Sequence, residues 1–129
     1  MAASSAALHE PVEKLKPETV DRHRAIVSIM EELEAVDWYD QRAEGATDPE
    51  LRAILEHNRD EEKEHAAMAL EWLRRRDAKL SEHLKTYLFT EGSILEIESE
   101  QEADAAGEDG GAGDGSLGIG SLRAQGEPE

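Results

Sequence analysis

Apolar residues recur every three or four positions along two long stretches of the chain, and this spacing predicts two long helices. The first should run from Pro17 to Arg42, where no internal Gly or Pro interrupts it. Its apolar positions are Val20, Ile26, Val27, Ile29, Met30, Leu33, Val36 and Trp38. We expect it to end at Glu44-Gly45, because glycine suits the left-handed cap of a helix C-terminus.

Residues 47–50 (TDPE) predict a capping box with proline in the first turn, and therefore the start of a second helix that continues to about Arg76. Asp77 should cap a shorter third helix that ends near Gly92. The apolar positions of that helix are Leu80, Leu84, Tyr87, Leu88 and Phe89. The predicted fold is all-α, with a long antiparallel two-helix hairpin, a short third helix and a flexible C-terminal tail.

The C-terminal part changes character after a brief apolar continuation at residues 94–97. Residues 98–114 are rich in Glu, Ala, Gly and Asp, with too few apolar groups to offset the entropy of ordering, so we expect a disordered acidic linker. Residues 115–123 (GSLGIGSLR) place Leu117, Ile119 and Leu122 in this polar background. This pattern is typical of a docking peptide, although a chance cluster fits the composition equally well. The predicted segments are a helical domain at 1–97, the linker at 98–114 and the peptide at 115–123.

Charge and composition exclude several classes of protein. The 129 residues include no cysteine, which excludes disulfides and thiolate metal sites. The N-terminus lacks the features of a signal peptide, and no stretch reaches the ~20 apolar residues of a membrane span. We therefore expect a cytoplasmic protein with no membrane partner. The net charge of −17 argues against a nucleic-acid partner and favours cations as ligands.

Polar residues interrupt the apolar face of the second predicted helix where leucine would be expected. The face comprises Leu51, Ile54, Leu55, Asn58, Glu62, His65, Ala69, Trp72 and Leu73. Burying an ionised carboxylate costs several kcal/mol unless a partner neutralises it, and a divalent cation is such a partner. Glu62 and His65, three residues apart on one helix face, are therefore candidate metal ligands.

A third candidate ligand lies on the first helix. If the hairpin turns near Ala46, then Glu32 lies fourteen residues before the turn and Glu62 sixteen after it. At ~1.5 Å of rise per residue the two carboxylates match in height to within ~3 Å. Bundled di-iron proteins combine one Glu from each of two helices with Glu-x-x-His from each of two others, so this chain carries half of that set. We infer that two chains pair about a two-fold axis to complete a four-helix bundle and its metal site.

Several alternatives remain open at this point. Glu-x-x-His is common on solvated helices, and oxygen and nitrogen ligands hold manganese or zinc as well as iron. Glu31 and Glu34 share a face and either relay cations or are ordinary exposed acids. Tyr39 is either a hydrogen-bond donor close to the metal or packed core. His57 and Glu61 suggest a hemerythrin-like pair, but that fold requires more histidines than this chain offers.

The chain resembles the encapsulated ferritins, cargo proteins of bacterial encapsulin nanocompartments. The similarity extends over most of the helical region and includes the tail. It is carried by residues 31–39 (EELEAVDWY), 57–65 (HNRDEEKEH), 70–73 (LEWL), 86–91 (TYLFTE) and 115–122 (GSLGIGSL).

This resemblance implies a ferritin-like four-helix bundle formed by two chains, with an annular decamer as the assembly. It also implies a ferroxidase that oxidises Fe(II) with dioxygen at a di-iron centre shared between two subunits. The terminal peptide then docks on the encapsulin shell protein, inside which iron is stored as mineral. The implied roles are iron ligands for Glu32, Glu62 and His65, a metal-uptake site for Glu31 and Glu34, and aromatic neighbours of the centre for Trp38 and Tyr39.

Two other functions are compatible with the same residues. A rubrerythrin-like peroxide scavenger uses the same ligands with hydrogen peroxide as oxidant. A non-enzymatic helical scaffold or docking adaptor contains a structural metal that only links the dimer. Oxidant preference distinguishes the first from a ferroxidase, and the rate of Fe(II) oxidation relative to buffer distinguishes the second.

Overall fold

The computed structural model describes residues 7–109, which form helices and connecting turns with no strand among them. A 3₁₀ turn at Val12–Lys14 precedes helices α1 (Pro17–Gly45), α2 (Pro49–Arg74), α3 (Ala78–Tyr87) and α4 (Ile94–Asp109). The helices fall into two units, divided between residues 76 and 77. The all-α prediction and the long two-helix hairpin are confirmed. None of these helices combines the length and apolar composition needed to cross a bilayer.

Helices α1 and α2 begin where local sequence signals predict. Helix α1 ends at Gly45 as expected but without the expected left-handed cap, because Gly45 is still helical and Ala46 after it is extended. Pro17 and Pro49 each occupy the first turn, where a missing N–H costs nothing. The N-cap of α2 is Asp48, whose Oδ2 accepts a hydrogen bond of 2.8 Å from the backbone N–H of Leu51. The expected capping box would have used Thr47, but Pro49 as first helical residue makes Asp48 the capping position.

A connection of only three residues makes α1 and α2 antiparallel neighbours, and they pack along their length. Arg59 crosses between them, with 3.0 Å from Nη1 to Asp40 Oδ1 on α1 and 3.0 Å from Nε to Asp60 Oδ1 on its own helix. Lys63 joins Asp60 at 3.3 Å, which makes a network of four charges. Networks contribute more than the small stabilisation of an isolated surface ion pair.

The hairpin buries few of its apolar side chains by itself. Within residues 7–109 the buried apolar residues are Ala43, Ala66 and Leu73. Large apolar side chains remain exposed along both hairpin helices. They include Ile26, Met30, Leu33, Trp38, Leu51, Ile54 and Met68. So many exposed large apolar side chains on one helical hairpin are typical of a protein–protein interface.

The second unit begins with the predicted third helix. Asp77 caps α3 as expected, because its Oδ1 accepts a hydrogen bond of 2.9 Å from the backbone N–H of Leu80. The helix ends at Tyr87, before the predicted end near Gly92, because Leu88 turns to an extended conformation. Phe89 then adopts a positive φ of 64° with its side chain fully exposed. Such a backbone conformation is uncommon for a residue other than glycine.

Helix α4 corrects the expectation that a disordered linker begins at residue 98. The helix runs from Ile94 to Asp109, and residues 110–114 lie outside the described part. Ser93 caps it, since the backbone N–H of Glu96 donates to Ser93 Oγ at 3.3 Å, in the Ser-x-x-Glu pattern of a capping box. Residues 98–106 are mostly Glu, Gln and Ala, which favour helix, so local propensity replaces the missing tertiary burial.

A cluster of arginines near the end of α2 predicts a dependence of stability on pH. Arg74 and Arg75 each donate to Glu71, at 2.7 Å from either Nε, and these hydrogen bonds lower the pKa of Glu71 from 4.5 to about 2. Because the folded pKa is depressed, this stabilisation is present above pH 4.5 and is lost as the pH falls toward 2.

We therefore expect Glu71→Gln to flatten the fall in the free energy of unfolding across this interval. Urea denaturation at several pH values measures this dependence of the free energy of unfolding on pH. Glu64→Gln, two turns earlier on the same helix, is the matched control and should keep the wild-type slope. Equal slopes for Glu71→Gln and the wild type would contradict the assignment.

Candidate metal centre

The three predicted ligands converge from the two hairpin helices. Glu32 comes from α1, and Glu62 and His65 come from consecutive turns of α2. Each offers a ligand atom, and these atoms all lie within 4.8 Å of one another. His65 Nδ1 lies 3.2 Å from Glu62 Oε1 and 3.8 Å from Glu32 Oε1. Glu32 therefore lies opposite Glu62, as expected from counting the helical rise of each residue from the turn.

The cluster lies on a partly open side of the hairpin. The exposed fractions of its side chains are 28% for Glu32, 24% for Glu62 and 43% for His65. Ala66, directly after His65, is buried between the helices. One side of the cluster thus meets the hairpin interior, while the other side leaves room for additional ligands.

The carboxyl groups of Glu32 and Glu62 shift each other's pKa in opposite directions. The hydrogen bond with Glu62 is the main cause that raises the pKa of Glu32, and burial and the charge of Glu62 add to it. The same hydrogen bond with Glu32 is the main cause that lowers the pKa of Glu62. The hydrogen bond to Glu62 also raises the pKa of His65. Negative charge therefore accumulates at the three side chains, and protons compensate it where no cation is bound.

The donor set fits a divalent transition-metal ion. Two carboxylates and one imidazole supply hard oxygen ligands and a nitrogen ligand, which suit iron, manganese or zinc. Ligand atoms bound to one ion at about 2.0–2.2 Å lie no more than about 4.4 Å apart. The ligand atoms here all lie within 4.8 Å of one another, so small side-chain rotations at most are needed to bring them onto one ion. Three protein ligands also leave coordination positions for a second chain, for water or for dioxygen.

Four other predicted site residues lie outside the cluster. Glu31 and Glu34 are exposed on α1, and the charge of Glu31 contributes to the raised pKa of Glu32. The rings of Trp38 and Tyr39 both lie near the Arg42 guanidinium, at 6.0 and 5.4 Å from its central carbon. Within residues 7–109 no hydrogen bond joins either ring to the cluster. The predicted docking residues Leu117, Ile119 and Leu122 lie outside the described residues.

One neighbour of the cluster was not predicted. Glu61 Oε1 lies 3.9 Å from Nε2 of His65, and Glu61 Oε2 lies 3.7 Å from Nε2 of His57. The sequence pairs Glu61 only with His57, in the hemerythrin-like pattern that this chain cannot complete, and the Glu61 side chain is 48% exposed. The i, i+4 spacing from Glu61 to His65 was the available signal, since such pairs face each other on a helix.

Comparisons with known proteins agree on one family. Residues 7–91 match the family model described as EncFtn-like. The chain is 68% identical over 134 residues to the "Encapsulated ferritin-like protein" of Rhodospirillum rubrum, which covers 97% of this chain and 94% of that protein. It is 31% identical over 86 residues to the "Encapsulin nanocompartment cargo protein EncC" of Myxococcus xanthus, covering 67% and 66%.

A solved structure gives the same result. The crystal structure of protein ne0167 from Nitrosomonas europaea superposes with a TM-score of 0.67 at 59% identity, covering 68% of this chain and 97% of that chain. The family match spans α1, α2 and α3, including all three residues of the cluster. The chain therefore belongs to the EncFtn-like family of encapsulated ferritin-like proteins.

Proposed function

We propose that this protein is a ferroxidase that oxidises Fe(II) to Fe(III) with dioxygen at a di-iron centre shared between two subunits. The observation that carries the proposal is the convergence of Glu32, Glu62 and His65 within 4.8 Å on the hairpin of an EncFtn-like chain. The metal ions are the substrate, and the protein supplies their ligands and the site at which they meet dioxygen.

The proposed centre requires two copies of the chain. One hairpin supplies half of a four-helix bundle and half of the ligand set of a bundled di-iron centre. A two-fold axis through the open side of the cluster would place the same three residues of each copy opposite one another. The exposed apolar surface of α1 and α2 supports such pairing. An annular decamer built from five such dimers is the larger assembly we propose.

Charge compensation suits iron in both oxidation states. Four carboxylates, from two copies of Glu32 and Glu62, balance the charge of two Fe(II) ions. Iron binds through lone pairs of the carboxylate oxygens and of His65, so binding displaces any proton carried on these ligand atoms. The two Fe(II) ions together give two electrons to one dioxygen, which takes up two protons and leaves as hydrogen peroxide, and both ions leave as Fe(III). No side chain acts as a nucleophile in this scheme.

The proposal includes packaging of the protein inside an encapsulin nanocompartment. Cargo proteins of encapsulin nanocompartments are among the relatives of this chain, which supports association with an encapsulin shell protein. We assign the docking role to residues 115–123 and the ferroxidase to the helical domain. The protein would then work in the cytoplasm inside the nanocompartment and deliver Fe(III) for mineral storage.

Stopped-flow oxidation of Fe(II) tests the activity. Purified protein should oxidise Fe(II) with dioxygen far faster than buffer does. A rate equal to that of buffer would refute the activity and favour a structural metal. Much faster reaction with hydrogen peroxide than with dioxygen, together with a catalytic cycle supported by a reductase, would instead identify a peroxide scavenger.

The two exposed acids of α1 should affect metal uptake rather than the centre itself. We expect Glu31→Gln and Glu34→Gln to raise the Fe(II) concentration for half-maximal rate by about 2- to 10-fold, since acidic patches concentrate cations locally. The maximal rate should stay unchanged. Glu44→Gln, an equal change of charge near the far end of α1, is the control. A lower maximal rate at unchanged half-saturation would contradict the uptake role.

A further inference from the structure

We propose that Glu61 is a positioning residue that fixes the tautomer and the ring orientation of His65. In this arrangement Glu61 accepts a hydrogen bond from Nε2–H and leaves the Nδ1 lone pair to the metal. The inference rests on the metal site of the proposed function. It adds a residue that does not contact the metal itself.

The two ring nitrogens of His65 lie close to different carboxylates. Nδ1 lies among the candidate metal ligands, 3.2 Å from Glu62 Oε1 and 3.8 Å from Glu32 Oε1. Nε2, on the opposite edge of the ring, lies 3.9 Å from Glu61 Oε1. Within residues 7–109, Glu61 is the only carboxylate within ion-pair distance of Nε2. The ring thus lies between the metal ligands and one outer acid.

A neutral imidazole carries one N–H and one lone pair, and their positions decide whether the ring binds metal. If Nδ1 is to bind a cation, the proton must be on Nε2. A carboxylate beside Nε2 stabilises that tautomer and increases the electron density that Nδ1 donates. The contact of 3.9 Å exceeds the length of a hydrogen bond, and a small rotation of the Glu61 side chain closes it.

Glu61 is itself held on its other side. Its Oε2 lies 3.7 Å from Nε2 of His57, one turn earlier on α2. The carboxylate therefore lies between two imidazoles, at four residues from each, on one face of the helix. In this placement Oε2 faces His57 and Oε1 faces His65.

Co(II) binding to the full-length protein tests this role without requiring catalysis. In Co(II)-substituted protein, the N–H proton of a coordinated imidazole gives a hyperfine-shifted NMR signal that disappears in D₂O. We expect this signal in the wild type and in Glu61→Gln, whose amide oxygen still accepts the hydrogen bond. In Glu61→Ala it should broaden through faster exchange, and the Co(II) dissociation constant should rise about 10-fold. Glu64→Ala, an equal loss of charge on the same helix, should behave as the wild type.

Four other results of these experiments would each contradict one of the proposals. An unchanged N–H signal and dissociation constant in Glu61→Ala would overturn the positioning role. Fewer Co(II) ions bound per chain in Glu61→Ala would also overturn it, because Glu61 would then be a ligand. If His65→Ala keeps full Co(II) binding, the proposed metal site itself fails. If wild-type protein shows the N–H effects but no rapid Fe(II) oxidation, the ferroxidase proposal fails while the role of Glu61 stands.

Discussion

Replacing Glu62 by alanine should abolish rapid Fe(II) oxidation, and Glu32→Ala and His65→Ala should each have the same effect. We expect a loss of more than about 100-fold, because residues that only support a metal ligand already cost ~10- to 100-fold when replaced. Two-fold symmetry increases the effect, since each substitution removes two ligands from one centre. Stopped-flow absorbance of Fe(III) formation measures the loss.

Loss of activity must be separated from loss of folding. A cation that binds only the folded protein stabilises it by about 2.7 kcal/mol at 100 times its dissociation constant. Anaerobic Fe(II) or Co(II) should therefore raise the melting temperature of the wild type and leave that of Glu62→Ala unchanged. Glu32→Gln should fold normally without metal, because glutamine has nearly the same size and removes the repulsion between the charges of Glu32 and Glu62.

Glu64→Ala is the matched control for these variants, since Glu64 lies on the same helix between Glu62 and His65 and is exposed. It should retain both the wild-type rate and the stabilisation by metal. Wild-type rates in all three ligand variants would refute the assignment of the centre. Slow oxidation in Glu64→Ala as well would indicate a general effect of acidic charge on α2.

Deleting residues 115–123 should prevent packaging and leave Fe(II) oxidation unchanged. The peptide lies outside the described residues, and its proposed role rests on the apolar side chains Leu117, Ile119 and Leu122 within a strongly acidic tail. Such a short apolar motif gains binding energy only on a partner surface, at the entropic cost of ordering. We expect co-expressed shell protein to assemble without the truncated cargo.

Two variants make the packaging test specific. Replacing Leu117, Ile119 and Leu122 together by serine keeps the length of the tail and should abolish packaging as completely as the deletion. Removing residues 124–129 shortens the tail without touching the motif and should leave packaging intact. The measurement is the amount of cargo that co-purifies with assembled shells. Co-purification of the 115–123 deletion at the wild-type level would contradict the docking role.

The hairpin and its cluster could be predicted because both depend on short-range regularities. A period of 3.6 residues defines the helices, and a constant rise from the turn near Ala46 sets Glu32 opposite Glu62. No long-range packing needs to be known for this step. The cap at Asp77 follows an equally local rule, whereas the start of α2 is capped by Asp48 and not by the expected Thr47.

Helix α4 was missed because the prediction weighed only the burial of apolar groups. Residues 98–106 offer little to bury, yet a capping box at Ser93 and Glu96 and a run of helix-favouring residues suffice locally. Glu61 was missed for a different reason. The proposed role of Glu61 depends on which edge of the His65 ring faces Glu62. The side-chain rotamer of His65 decides this, and the spacing of residues in the sequence does not give a rotamer.

The end of the third helix is another feature that local sequence patterns do not predict. Its start at Asp77 follows from the capping side chain, whereas its end at Tyr87 depends on the extended conformation of Leu88. The apolar pattern continues through Phe89, so periodicity alone extends the helix too far. Phe89 instead adopts a positive φ with an exposed ring, a conformation that no sequence pattern indicates for phenylalanine.

The most direct test of the shared centre is an anaerobic Fe(II) titration monitored by native mass spectrometry and followed by exposure to oxygen. Our account predicts that binding saturates at one iron per chain, that iron is found only in assemblies with an even number of chains, and that all bound iron oxidises in one fast phase. Saturable iron binding to single chains, or bound iron that oxidises no faster than iron in buffer, would contradict it.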